Sequence, residues 1–123
     1  MDPTFSVNVT LVNTTSATLT LTTFSLAHGE WCNSGLATPP PQMTKTGSWC
    51  SESDGFATGT QGLAVYQIGA DPSETVAISW DDPAIGSNSY SAVCSTANFD
   101  CTFTGGDDGD NASVLFTLTS PVS

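Results

Sequence analysis

Apolar and polar residues alternate with a period of two along most of this chain, the pattern of strands that bury one face. Phe5, Val7, Val9 and Leu11 alternate with Ser6, Asn8 and Thr10. After the turn-like Asn13–Ser16, Ala17, Leu19 and Leu21 alternate with threonines. The phase then slips, with Phe24 and Leu26 one step out of register, which predicts a β-bulge near Thr22–Thr23. Further runs place Val76, Ile78 and Trp80 on one face, then Tyr90, Ala92 and Cys94, then Phe99, Cys101 and Phe103, then Val114, Phe116 and Leu118. No segment carries a sustained helical period. HGEW, GTQG, GADPSE, DDPAIGSN and GGDDGDN supply turn chemistry between the runs. The three prolines at 39–41 exclude a central strand and predict a long surface loop over Asn33–Thr46. Many short strands with regular turns make an all-β domain, a sandwich or a barrel, and 123 residues are enough for one such domain over 1–123.

Charge narrows the partners. Twelve acidic residues stand against one cation, Lys45, for a formal charge of −11. Nucleic acid is excluded, because binding it needs cations that displace counterions from phosphates. Anionic membrane surfaces are disfavoured for the same reason. Neutral or zwitterionic surfaces, sugars and cationic partners remain. No apolar run reaches the length of a membrane-spanning helix, and MDPTFSV does not read as a signal peptide.

The four cysteines contain no CxxC pair and there is a single histidine, His28, so neither a zinc site nor a cofactor is expected. An even cysteine count in a small Thr/Ser-rich chain points to disulfides and a secreted or extracellular location. Connectivity is open from sequence. Pairing sequence neighbours, Cys32–Cys50 and Cys94–Cys101, closes two loops, the longer contributing roughly 3 kcal/mol in the chain-entropy model. Cys94 and Cys101 fall on the apolar phases of consecutive strands and are expected to meet across a hairpin. Sequons begin at Asn8, Asn13 and Asn111.

Chemistry-bearing motifs are sparse. Asp107, Asp108 and Asp110 are dense enough for calcium, yet they lack the spacing of a calcium loop and read better as an acidic hairpin turn. His28 has no nucleophile elbow to serve, and Glu30, Glu52 and Glu74 show no glycosidase-like pairing, so no catalytic residue is assigned. The stretch SWDDPAIGSNSY, Ser79–Tyr90, puts Trp80 in phase with Val76 and Ile78, which is core packing, but also sets Asp81, Asp82, Ser87, Asn88 and Tyr90 at a strand end and turn. Carboxylates beside aromatic rings suit an ammonium group.

SESDGFATGTQG and WDDPAIGSNSY, with Gly29, Trp31 and Tyr66, resemble the aegerolysins, most closely the bacterial branch that includes the small component of two-part insecticidal crystal toxins. The residues that carry the likeness are Gly29, Trp31, Glu52, Ser53, Gly55, Phe56, Thr58, Gly59, Thr60, Gly62, Trp80, Asp81, Pro83, Gly86, Ser87, Asn88 and Tyr90, in order along nearly the whole chain. The resemblance implies an antiparallel β-sandwich, not an enzyme, that recognises sphingolipid-containing membranes and acts with a larger pore-forming partner protein. Four cysteines and so few cations depart from the family pattern. Combined with the residue chemistry, the expectation is binding of a zwitterionic lipid head group by Trp31, Trp80, Asp81, Asp82, Ser87, Asn88 and Tyr90. A carbohydrate-binding lectin, or a secreted interaction protein with no small ligand, is the alternative. Perforation by this chain alone is not expected, because a lipid-facing strand drawn from Ala17–Leu26 would strip Leu19, Leu21 and Phe24 from the core.

Overall fold

The computed structural model describes residues 5–55 and 58–121. Phe56, one of the residues carrying the resemblance, lies outside them. In chain order the strands are β1 (Ser6–Asn13), β2 (Leu19–His28), β3 (Glu30–Trp31), β4 (Gln42–Met43), β5 (Thr46–Glu52), β6 (Thr60–Ile68), β7 (Thr75–Asp82), β8 (Ser89–Cys94), β9 (Asp100–Gly105) and β10 (Asn111–Thr119). They form two five-stranded sheets, ordered β3-β5-β1-β10-β9 and β4-β2-β6-β7-β8. The expected β-sandwich is therefore the fold. One detail differs from an all-antiparallel arrangement: β1 and β10 run parallel, Val7 opposite Ala112 through Asn13 opposite Leu118. Parallel pairing is available to them because they are nearly a whole chain apart and need no hairpin.

Alternation decides which side chains fill the space between the sheets. Val7, Val9 and Leu11 of β1, Trp49 of β5 and Val114, Phe116 and Leu118 of β10 face Leu19 of β2, Ala64, Tyr66 and Ile68 of β6, and Val76, Ile78 and Trp80 of β7. Each large aliphatic or aromatic side chain so buried contributes roughly 1.5–3 kcal/mol relative to exposure. Aromatic rings stack through this core from Tyr66 to Trp49 to Trp80 to Trp31 and out to Phe24, with centroids 5.8–6.1 Å apart.

The bulge expected near Thr22–Thr23 is present, as a register shift between Leu21 and Thr23 in the β2–β6 ladder. Its consequence for Phe24 differs from expectation. The bulge turns Phe24 out of the core to 44% exposure, where its ring packs at a tilt against Trp31; Leu19 is buried and Leu21 only half-buried. GTQG, expected as a turn, instead opens β6 at Thr60, its glycines admitting close approach of other chain segments. A side chain at Gly59 would collide with the backbone of Asp82 and Pro83, and one at Gly62 with the indole of Trp80.

The proline segment is not wholly irregular. A single turn follows Trp31, with Asn33 and Ser34 at φ of 57° and 56°, and β4 adds a two-residue edge beside β2. From the core, Tyr66 donates its hydroxyl to the Pro40 carbonyl at 2.6 Å, which ties the prolines to the core. Cys32 and Cys50 are joined as a disulfide, their Cα atoms 5.3 Å apart. Cys94 and Cys101 are not; both are thiols in this structure. The expected hairpin between them does not form, because β8 pairs with β7 in one sheet and β9 with β10 in the other. The cysteines face one another across the gap between sheets instead. Of the sequons, Asn13 is buried and donates its amide to the Ala17 and Thr44 carbonyls, so it is closed to a glycan, whereas Asn8 and Asn111 are exposed.

Candidate functional site

The strand directions gather most of the carboxylates at one end of the sandwich. There β2, β5, β7 and β9 finish and β1, β6, β8 and β10 begin. Glu30, Glu52, Asp54, Asp81, Asp82, Asp107, Asp108 and Asp110 lie on or between these termini. Lys45, with Asp71, Glu74 and Asp100, belongs to the opposite end. The molecule is thus electrically polar along its strand axis.

An open groove of about 470 Å³ crosses this acidic end, lined by His28, Thr58, Gly59, Thr60, Gln61, Asp81 and the turn Pro83–Ile85. Each lining residue is placed by a simple device. His28 ends β2 opposite Gln61, and Asp81 sits opposite Gln61 on the other side of β6, so histidine, amide and carboxylate stand side by side on three neighbouring strands. Pro83 stops β7, and the following turn presents Ile85 to solvent at 94% exposure. Asp81 also lines a smaller depression of about 150 Å³ on the same sheet, with Gln61, Ser79, Trp80, Ser89, Tyr90 and Ser91. A carboxylate in a wall of neutral hydrogen-bonding groups, beside an exposed aliphatic side chain, can hold an ammonium with an apolar group next to it.

The residues expected to form one rim are only partly brought together: Trp80, Asp81 and Tyr90 border the smaller depression, and the others stand apart from it. Asp81 alone lines the groove with its side chain on the outer face. Asp82 is a correction: the strand alternation turns it inward to 1% exposure, so it cannot form part of an open rim. Its Oδ2 has no hydrogen-bond partner among the described residues. Burial, followed by the nearby charge of Asp110, pushes its carboxyl up to about 7; the Ser6 amide pulls the other way. Trp80 is likewise at 1% exposure and donates Nε1 to Ser51 Oγ at 2.8 Å, which makes it a core residue, and Trp31 is half-buried against it.

Asn88 and Tyr90 also act together. Asn88 donates Nδ2 to the Asp107 and Gly109 carbonyls, both at 2.9 Å, and its backbone N–H to Asp108 Oδ1 at 2.9 Å. Tyr90 donates its hydroxyl to the Asp107 carbonyl at 3.1 Å and packs its ring on Phe103. These two residues hold the acidic β9–β10 loop against the β7–β8 loop, with exposed Ser87 beside them. The Asp107–Asp110 turn is therefore clasped by neutral donors, and Asp107 Oδ1 closes it by accepting from the Gly109 N–H.

His28, Gln61 and Ile85 were not among the residues expected at a binding site. Gln61 and Ile85 carry no sequence signal beyond lying near turns; only strand register brings them to Asp81.

No family model and no curated protein matches the chain by sequence. Solved structures share its fold. The RahU protein, crystallised in complex with a TRIS molecule, superposes with a TM-score of 0.80 at 20% identity, over 99% of this chain and 99% of that one. Nakanori, described as a lipid binding protein, superposes with a TM-score of 0.80 at 14% identity, over 95% of this chain and 71% of that one. At such identities the likeness establishes the sandwich and its topology.

Proposed function

We propose that this protein binds the cationic head group of a zwitterionic membrane lipid in the groove at its acidic end, as a sphingolipid-recognising, aegerolysin-like component of a two-part pore-forming system. The observation that carries the reading is the pairing of Asp81 with the exposed Ile85 across one open groove. The carboxylate suits a choline or ethanolamine nitrogen, and Ile85 suits the apolar layer beneath the head groups. A net charge of −11 removes anionic lipid from the candidates and leaves zwitterionic lipid. The sequence resemblance and the fold shared with a lipid binding protein support the same reading. The Cys32–Cys50 disulfide accords with action outside the cell, and the partner would supply the membrane-spanning strands.

Co-sedimentation with sphingomyelin–sterol vesicles tests it. The protein is expected to bind them and not phosphatidylglycerol vesicles. Asp81→Asn, which keeps the shape and removes the charge, is expected to weaken binding roughly three- to tenfold, the equivalent of about 1 kcal/mol for a half-exposed ionic contact, with unchanged melting. Undiminished binding by the folded variant would remove Asp81 from the site. Binding to a glycan array without binding to any vesicle would make the protein a lectin.

A further inference from the structure

The two thiols lie at a junction that backbone hydrogen bonds leave open. β8 is the edge strand of one sheet and β9 the edge strand of the other, and each is laddered only to its inner neighbour. At the acidic end this junction is fastened by the bonds from Asn88 and Tyr90 to the Asp107–Gly109 loop. In the middle, Tyr90 packs on Phe103 with centroids 5.9 Å apart. At the other end, Cys94 from β8 and Cys101 from β9 are free thiols on these two edge strands, both half-buried against the core. They are held there by the segment between them. Buried Glu74 accepts from the Thr96 hydroxyl and from Asn98 Nδ2, and Ser95 bonds to Ser73 and Thr75, so the connection is pinned to the β6–β7 turn and β7.

We propose that Cys94 and Cys101 are a redox-active dithiol that reacts with a small disulfide to close a second crosslink, stapling one sheet to the other. One cysteine, as its thiolate, attacks a sulfur of the disulfide RSSR. A protein–SR mixed disulfide forms and RS⁻ leaves, to be protonated by solvent. The second cysteine, having lost its proton to solvent, attacks the protein sulfur of the mixed disulfide and expels the second RS⁻. The dithiol is oxidised by two electrons, RSSR is reduced to two RSH, and the Sγ–Sγ bond joins β8 to β9.

The surroundings set the rate and the choice of reagent. Burial first, then the neighbouring Cys101 thiol and the charges of Asp100 and Glu74, push the Cys94 thiol up to about 12, so exchange is slow at neutral pH and quickens with alkalinity. The carboxylates also repel an anionic disulfide and attract a cationic one. Cystamine is therefore expected to react fastest, neutral hydroxyethyl disulfide more slowly and glutathione disulfide slowest at low salt, with the differences narrowing as salt is added.

The experiment is incubation of the full-length native protein with each reagent at pH 8, followed by intact mass, thiol titration and non-reducing peptide mapping. Both thiols are expected to disappear with the loss of two hydrogens and recovery of a Cys94–Cys101 peptide. The melting temperature is expected to rise by roughly 5–15 °C, as closure of a short loop implies. Cys94→Ser and Cys101→Ser should each stop at a single mixed disulfide and show no such rise. Persistent mixed disulfides on the native dithiol, or thiols that stay unreacted until the protein is unfolded, would overturn the proposal. A crosslink that forms without raising the melting temperature would overturn its role as a staple.

Discussion

Asp82 and Asp81 are neighbours in sequence with opposite surroundings, and the difference is one step of strand alternation. Asp81 faces water and the groove; Asp82 faces the core with an oxygen left unpartnered. A carboxyl whose folded value is raised from 3.8 to about 7 binds its proton more tightly in the native state than in the unfolded chain. Its contribution to stability is complete below the unfolded value and is lost as pH rises through about 7. The melting temperature is thus expected to fall between pH 5 and pH 8 by more than general charge repulsion accounts for. Asp82→Asn, permanently neutral, should show a flatter profile over that interval, so the difference between the two curves isolates this one group. Identical slopes for wild type and variant would mean that the carboxyl is not held protonated. At Trp80 the sequence phase was a sufficient guide to burial. What phase could not supply is the Ser51 hydroxyl that satisfies its indole, since Ser51 is on β5 of the opposite sheet.

Among the elements, the β7–β8 and β9–β10 loops behave as one unit because Asn88 bonds to three residues of the partner loop. Replacing a side chain that satisfies backbone carbonyls leaves those acceptors to water or to nothing, at a cost of about 1–3 kcal/mol where they are shielded. Asn88→Ala is therefore expected to lower stability by an amount in that range. It should also speed amide hydrogen exchange in Gly106–Asn111, while exchange in β1 and β6 keeps its native pattern relative to global unfolding. Unaltered exchange in the loop would show that the clasp is dispensable. The bulge in β2 was legible from a phase slip in the sequence, but its effect on Phe24 was not. A bulge bends and twists its strand, and whether the displaced ring lands inside or outside depends on what its neighbours offer, here the ring of Trp31.

For the whole molecule, the segregation of charge predicts an orientation at the membrane. If the proposed function holds, the acidic end is expected to approach zwitterionic head groups and the end bearing Lys45 to point away. Replacing part of the zwitterionic lipid with phosphatidylserine is expected to weaken binding progressively at low salt and less at high salt, because the repulsion is screened over about 8–10 Å at physiological ionic strength. The same architecture argues against perforation by this chain alone. Core-facing residues such as Leu19, Tyr66, Ile78 and Trp80 occupy the apolar face that a lipid-exposed strand would need. Purified protein is expected to release little dye from sphingomyelin–sterol vesicles in the absence of a partner. Rapid and complete release would show that the sandwich refolds in the bilayer.

Alternation by itself determined the all-β class, the inward set on β1, β7 and β10, the bulge in β2 and the surface placement of the acidic turns, since each depends on side-chain direction within a single strand. Short-range closure was legible too, in the Cys32–Cys50 disulfide. Pairing between distant strands was not. Only the tertiary structure set β1 parallel to β10, put β8 and β9 in different sheets, and so left Cys94 and Cys101 facing each other across the sandwich instead of along a hairpin. The same long-range register joined His28, Gln61 and Asp81 into one groove and sent Asp82 to the interior. A period of two says which residues share a face. Which strands lie next to one another is decided by the packing of two whole sheets, and the groove is made at that level.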